Sequence, residues 1–285
     1  MCIWWRDEKK ITLSDVIKRL EWHTINDADC VVYCGGEPTM HEEILDIIRV
    51  AGEKGAYIHM LTNGRKLSDF SFAKQLIDNG LRRISIPLYG STARCHDQLT
   101  QVSGSFTQTI DGLKNLFSLR DDNGYPIDIE IKTLVCKQNI KELQNIVEFI
   151  VNEFPSSPTF FTISSMDISD AVKKRYNYLF IKLEDAAPAI RECIDYAIAY
   201  DLNVTTYFIP ACVLGYEYIS ICDRNKDPSD KYPDIYYAPD NLAGVHNVRE
   251  FIKPITCKSC KCYNICDGIW RSYAQEIGTT ELKPL

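Results

Sequence analysis

The chain predicts an α/β fold built on a parallel sheet. Three observations carry this reading. Short apolar runs of strand length alternate with amphipathic helix patterns from residue 12 to residue 208. The runs are rich in β-branched residues and show no clean polar–apolar alternation, as expected when both faces of a sheet are covered. The turns between them carry helix caps, Asn-Gly or Pro, which punctuate strand and helix. Two closures fit this pattern, an open doubly wound sheet and a barrel.

The elements follow in order. Thr12 and Asp15 open a helix over 12–22. A strand spans 30–33, and a helix spans 41–54 with Thr39 and Glu42 spaced as a capping box. A second strand, 56–61, ends at the turn Thr62-Asn63-Gly64. Residues 68–79 form a helix stopped by Gly80. A third strand covers 83–88 and a helix 107–119, followed by the loop Asp121-Asp122-Asn123-Gly124. A fourth strand, 127–135, leads to a helix capped by Asn139 and Glu142 and ending near 154. A fifth strand spans 159–164, a helix 183–200 and a last strand 203–208. From residue 209 the periodicity fades, Gly, Pro, Tyr and Asp become frequent, and cysteines concentrate. The expected division is a barrel or open-sheet unit over 1–208 and a small cysteine-bearing extension over 209–285.

The most informative stretch is Cys34-Gly35-Gly36-Glu37-Pro38-Thr39, between the first strand and its helix. Glycines let a backbone approach a ligand with no side chain between. Pro38 fixes φ and donates no hydrogen bond. The carboxyl edge of a parallel strand is where α/β folds bind ligands. An ordinary strand-to-helix loop remains the alternative.

Composition narrows the function classes. A 285-residue chain can bury a full core. The formal net charge of −7 argues against a broad nucleic-acid-binding face. No apolar run reaches the length of a membrane span, and the first residues show no basic-then-apolar signal pattern, so the expected location is the cytoplasm. Twelve cysteines in such a compartment suggest metal or redox chemistry rather than disulfides. Cys257-x-x-Cys260-x5-Cys266 is compact, with Cys262 inside it and Cys212 upstream. Four such thiolates suit zinc or an iron–sulfur cluster, and Cys262 could replace any one of them. Cys30, Cys34, Cys136 and Cys193 fall inside strand or helix patterns and read as small core residues.

These pieces together resemble the radical S-adenosylmethionine (radical SAM) enzymes over most of the chain. The resemblance is carried by GGEPT and its helix, by Leu61-Thr62-Asn63-Gly64, and by Ile86-Pro87-Leu88-Tyr89-Gly90. His96-Asp97, Gly104-Ser105-Phe106 and the helix after it follow in the same order. The Cys257–Cys266 run is similar to a carboxyl-terminal auxiliary-cluster extension of the SPASM or twitch type. The resemblance implies a partial (β/α)6 TIM-like barrel whose first strand has no counterpart here. It implies a [4Fe–4S] cluster with S-adenosylmethionine, a second, auxiliary [4Fe–4S] cluster, and a 5′-deoxyadenosyl radical as the reactive species. Gly35, Gly36, Glu37 and Pro38 would form the cofactor edge, with Glu37 as a loop stabiliser. Ser85 and the region after Leu134 would join the pocket; alternatively Ser85 is an inward-facing strand residue. Cys212, Cys257, Cys260 and Cys266 would ligate metal.

Two departures stand out. The family's CxxxCxxC is absent, and only Cys2 stands where its third cysteine would fall. The chain as written is therefore expected to be amino-terminally incomplete and inactive alone, through a start upstream of Met1 or through loss of function. Pro87 also replaces a small polar residue common in relatives. The expected substrate is a peptide or protein side chain, with an external electron donor and neither nucleic acid nor membrane as partner. The competing readings are a non-catalytic relative with a structural zinc site and a radical enzyme acting on a small molecule or tRNA.

Overall fold

The computed structural model describes residues 12–25, 30–34, 36–166, 168, 176–222, 251–266 and 268–285. Six strands form one sheet, all parallel and in chain order. They are β1 (Cys30–Tyr33), β2 (Tyr57–Leu61), β3 (Leu81–Pro87), β4 (Asp128–Leu134), β5 (Phe160–Ser164) and β6 (Val204–Tyr207). All six coincide with predicted strands to within two residues at each end. The sheet is that of a partial barrel, and the order runs linearly from β1 to β6. A strand before β1 would fall outside the described residues.

The connecting helices bury one face each. They are α1 (Leu13–Ile25), α2 (Ile44–Glu53), α3 (Phe70–Asp78), α4 (Ala93–Thr100), α5 (Ser105–Asp121), α6 (Leu143–Glu153), α7 (Tyr176–Leu179) and α8 (Leu183–Ala199). Their buried residues recur at helical spacing, as in Ile44, Ile47, Ile48 and Ala51 of α2. They pack on alternate strand residues: Ile58 and Met60, Ile84 and Ile86, Ile129 and Ile131, Phe161 and Ile163. The intervening residues form the other face: Tyr57 and His59, Arg83 and Ser85, Asp128, Glu130 and Lys132, Thr162. The strands therefore do alternate, contrary to the sequence reading. The pattern is masked because the second face is also largely buried, with polar groups bonded to one another rather than to water.

Three local corrections have clear causes. Thr39 and Glu42 form no capping box. Thr39 instead opens a 3-10 turn, Pro38–Met40, because the Glu37 carboxylate takes both its N–H and its hydroxyl. Asn139 does not cap α6; it is fully buried and bonds the backbone at Cys136, Leu134 and Tyr89. Helix α4 was not expected. Its sequence turns only His96 and Leu99 fully inward, too few for a visible period. Pro87 is tolerated in a central strand because β2 stops at Leu61, opposite Ser85, so no β2 carbonyl needs its missing N–H.

After β6 the chain makes α9 (Ala211–Leu214), then a small antiparallel pair, β7 (Phe251–Ile252) and β8 (Ile269–Trp270), and α10 (Arg271–Ile277). This part packs on the sheet unit, since Ile269, Tyr273 and Leu282 share its core. The Tyr273 hydroxyl accepts the Leu183 N–H at 2.9 Å and donates to Glu281 at 2.8 Å. Glu281 in turn accepts the Glu184 N–H at 3.0 Å, so a carboxylate sits at the amino terminus of α8. Phe208 holds a left-handed backbone, φ 62°, which is strained for a bulky residue. Its ring lies 4.1 Å from that of Trp270 and 5.0 Å from that of Phe251.

The tightest helix-to-loop contact is at Gly112 on α5. A Cβ there would stand 2.3 Å from the Gly64 carbonyl oxygen. Thr109 and Asn115 bond the same 62–68 segment at Asn63, Leu67 and Ser68. Gly112→Ala is therefore expected to destabilise the fold by about 1–3 kcal/mol, the usual cost of overpacking. A denaturant midpoint equal to that of the parent would show that this contact relaxes freely.

Candidate functional site

The Gly-Glu-Pro loop leaves the carboxyl end of β1. Gly36 sits at φ 55°, and a Cβ there would meet open space. Glycine thus supplies a left-handed turn and leaves the edge uncovered. Glu37 folds inward. One carboxylate oxygen accepts the Thr39 N–H at 3.2 Å and hydroxyl at 2.7 Å, and the Thr62 hydroxyl. The other accepts the Asn63 N–H at 2.8 Å. Thr62 also bonds Ser85 through its backbone, N to O 3.1 Å. The loop after β1 is therefore fastened to the turn after β2, and that turn to β3. Lys66 adds a bond to the Thr39 carbonyl at 2.9 Å. Glu37 has its acceptors filled by backbone and hydroxyl donors, which matches a loop stabiliser.

Ser85 faces inward and is 3 % exposed. Its hydroxyl donates to Glu130 and lies 2.7 Å from His59 Nε2. Its only proton is committed to Glu130, so His59 Nε2 is the donor in the second contact. Glu130 also accepts from Arg83 at 3.1 Å and from the Thr162 hydroxyl at 2.6 Å, with Lys132 Nζ at 3.6 Å. Burial alone would raise the Glu130 carboxyl. The charges of Lys132, Arg83 and His59 and the Ser85 bond outweigh it and hold the group well below the usual carboxylate range. Arg83 lies 4.5 Å over Phe160, and Lys132 lies 4.6 Å over Tyr207.

A second constellation lies in the carboxyl-terminal part. One pocket is lined by Cys212, Cys257, Cys260, Cys262 and Cys266, together with Lys253 and Tyr263. Proline 210 and α9 bring Cys212 to it from the end of β6. The Cys260 sulfur accepts backbone N–H groups from Cys262 and Leu285, each at 3.4 Å, and the Cys266 sulfur accepts that of Gly268 at 3.3 Å. Burial by itself raises the Cys260 thiol, yet these N–H groups and Lys253 bring it below the ordinary value. The Cys212 thiol, by contrast, is pushed up to about 11 by burial. Among the described residues no three His, Cys, Asp or Glu side chains are grouped so as to hold a metal ion.

The predicted site residues thus fall in two places. Gly36, Glu37 and Pro38 form the β1 edge, with Ser85 linked to it through Thr62. Cys212, Cys257, Cys260 and Cys266 share the pocket with Cys262. Cys2 and Gly35 lie outside the described residues. Of the presumed core cysteines, Cys136 and Cys193 are buried, Cys30 is half-buried, and Cys34 is exposed at the mouth of β1. His59, Arg83, Glu130 and Lys132 were missed. Their signal was polar residues spaced two apart in apolar strands, as in Arg83-x-Ser85 and Glu130-x-Lys132.

Comparison with known proteins bears on the first of these places. A family model described as the Radical SAM superfamily matches residues 3–150, just over half of the chain. The AdoMet-dependent heme synthase of Nitratidesulfovibrio vulgaris is 29% identical over 116 residues, 41% of this chain and 30% of that protein. The PqqA peptide cyclase of Rhodopseudomonas palustris is 27% identical over 118 residues, 41% of this chain and 29% of that protein. Among solved structures, Streptococcus suis SuiB bound to its precursor peptide SuiA aligns with a TM-score of 0.57 at 17% identity. That alignment covers 81% of this chain and 49% of SuiB. The matches span under a third of these two curated relatives' length.

Removing the Glu130 carboxylate would leave the buried Arg83 and the half-buried Lys132 without their shared anion. Glu130→Ala should cost about 3–5 kcal/mol of stability, read from the urea midpoint. The folded carboxyl is held low, so its contribution is present above the unfolded carboxylate pKa and is lost as pH falls through the folded value. In the parent, this part of acid unfolding should begin as pH falls through the usual carboxylate range and be complete only well below it. Loss of it at pH 5 would contradict the assignment.

Proposed function

The chain belongs to the radical SAM superfamily, and we propose that it is the SAM-binding part of an enzyme that modifies a peptide or protein side chain. The single observation that carries the proposal is the Glu37 anchor. It holds Gly36 and Pro38 as an exposed backbone edge at the carboxyl end of a parallel strand, where the positive amino group of SAM would be received. The chemistry supplied by a bound [4Fe–4S] cluster is one-electron cleavage of the SAM sulfonium bond to give a 5′-deoxyadenosyl radical. Within the barrel unit, proposed as residues 1–208, Ser85 and its network would form the floor beneath the cofactor. The described residues bring only Cys30 and Cys34 to the β1 strand, and they bracket it rather than meet. They do not fit a three-thiolate catalytic site by themselves, and Cys2 lies outside the described residues.

The extension is proposed as residues 209–285, and the gathering of five cysteines around one pocket supports reading it as the place of an auxiliary cluster. Cys212, Cys257, Cys260 and Cys266 would be its ligands. Backbone N–H bonds to the Cys260 and Cys266 sulfurs are the contacts that tune iron–sulfur sites. The peptide substrate is supported by the extension, by the PqqA peptide cyclase among the relatives, and by SuiB with its precursor peptide. The non-catalytic reading, with a structural zinc in the same pocket, predicts zinc on metal analysis.

Two measurements test the proposal. After anaerobic reconstitution, the full chain should bind SAM by equilibrium dialysis, and Gly36→Val should weaken that binding at least about tenfold by covering the edge with a strained side chain. Unchanged binding would place the site elsewhere. Iron and sulfide counts should fall by about four each when any of Cys212, Cys257, Cys260 or Cys266 becomes Ser, and hold for Cys262→Ser. Zinc without sulfide would reject the auxiliary cluster.

A further inference from the structure

The inner face of the sheet carries an ammonium group whose donors go unused. The Lys132 side chain on β4 is 26% exposed, and its Nζ stands 3.6 Å from Glu130 Oε1, past hydrogen-bond reach. Among the described residues Nζ makes no hydrogen bond, although it has three N–H groups to give. Glu130 is already served. Its Oε1 accepts the Thr162 hydroxyl at 2.6 Å, and its Oε2 accepts Arg83 at 3.1 Å and the Ser85 hydroxyl. Asp128, the other carboxylate on this face of β4, lies at the amino end of the strand and accepts the Tyr57 hydroxyl at 2.7 Å. The surroundings of Nζ are aromatic. It lies 4.6 Å over the Tyr207 ring, which stands 3.6 Å from that of Phe208. Phe208, with its left-handed backbone, lies 4.1 Å from Trp270, whose buried indole N–H also has no partner among the described residues. A largely buried ammonium without acceptors is costly unless something from outside supplies them. Backbone strain such as that at Phe208 clusters at ligand sites.

We propose that Lys132 is the subsite for a carboxylate on the peptide substrate, with Tyr207 and Phe208 as the wall for the aliphatic part of that acidic side chain. The inference rests on the peptide-modifying reading above. One unbonded ammonium matches one negative charge, and a charge-assisted hydrogen bond is strongest where water is partly excluded. The carboxylate of SAM is not the occupant. In SAM the amino and carboxylate groups share one carbon, so both belong at the β1 edge. Lys132 stands three strands away on β4, and its head leans over Tyr207 of β6, farther still from β1. A neutral amide offers an acceptor but leaves the charge unmatched. The subsite therefore selects Asp or Glu over Asn or Gln.

The test uses the full chain, reconstituted anaerobically, with N-acetyl-glutamate N-methylamide and N-acetyl-glutamine N-methylamide as probes. Dissociation constants are read by ligand-observed NMR, independently of any turnover. The glutamate probe should bind at least about tenfold more tightly than the glutamine probe, the difference made by one charge-assisted bond. Lys132→Met should abolish that preference, and Lys132→Arg, which restores the charge, should bring most of it back. The ratio of the two probes is the decisive quantity, because a general loosening of the sheet lowers both affinities together. Lys114→Met, on the helix-covered side, should leave the ratio unchanged. Saturating SAM should leave the glutamate probe bound. The inference is overturned if neither probe binds, if the two bind alike, or if Lys132→Met keeps the preference. It is also overturned if SAM displaces the glutamate probe, which would make the anion SAM's own carboxylate. SAM binding is measured by equilibrium dialysis on the same samples. A chain that shows the preference but binds no SAM sinks the cofactor reading and keeps the subsite; a chain that binds SAM but shows no preference does the reverse.

Discussion

One carboxylate, Glu130 of β4, meets side chains from three other strands. It receives Arg83 and Ser85 from β3 and Thr162 from β5, stands beside Lys132 on its own strand, and lies 4.0 Å from His59 of β2. A one-residue slip in any of these ladders would turn the partner to the helix-covered side and strand a buried charge. The same slip would turn the outer-face aliphatics inward as well. The inner network adds the penalty of an unpaired buried charge. It fixes the register of β2 to β5, and the loops at their carboxyl ends inherit their positions from that register. The β1 loop is fastened in turn by Glu37 to the segment after β2.

Much of this was legible in the sequence, and the exceptions are instructive. Strand and helix alternation gave all six strands, because parallel strands bounded by helices leave strong composition contrasts. The Gly-Glu-Pro loop was legible as an exposed backbone edge, and Glu37 as its stabiliser. The Glu130 network was not. Arg83 and Glu130 are 47 residues apart, and a pair of strands must be registered before their i and i+2 residues become neighbours. Thr39 was misread because a local cap competes with a tertiary carboxylate, and sequence shows only the former. The gathering of the carboxyl-terminal cysteines, Cys262 included, was legible from spacing.

The family assignment accounts for the sheet and for the edge at β1, and the coverage of the relatives sets its reach. The family model covers residues 3–150, which fall within the sheet unit. The heme synthase and the peptide cyclase are both similar to it at nearly the same identity. Similarity at this level is shared by enzymes with unrelated substrates.

That segment is not a free appendage. Tyr273 and Glu281 close a three-way contact with the first turn of α8, and Ile269 and Leu282 enter the same core as the strands. The two parts are mechanically in series. Whatever binds the thiols and holds that segment folded also holds the amino terminus of α8, and through α8 the β6 side of the sheet. Ligand occupancy at the cysteines is thereby written into the melting behaviour of the whole sheet, by ordinary thermodynamic linkage, with no need for a moving part.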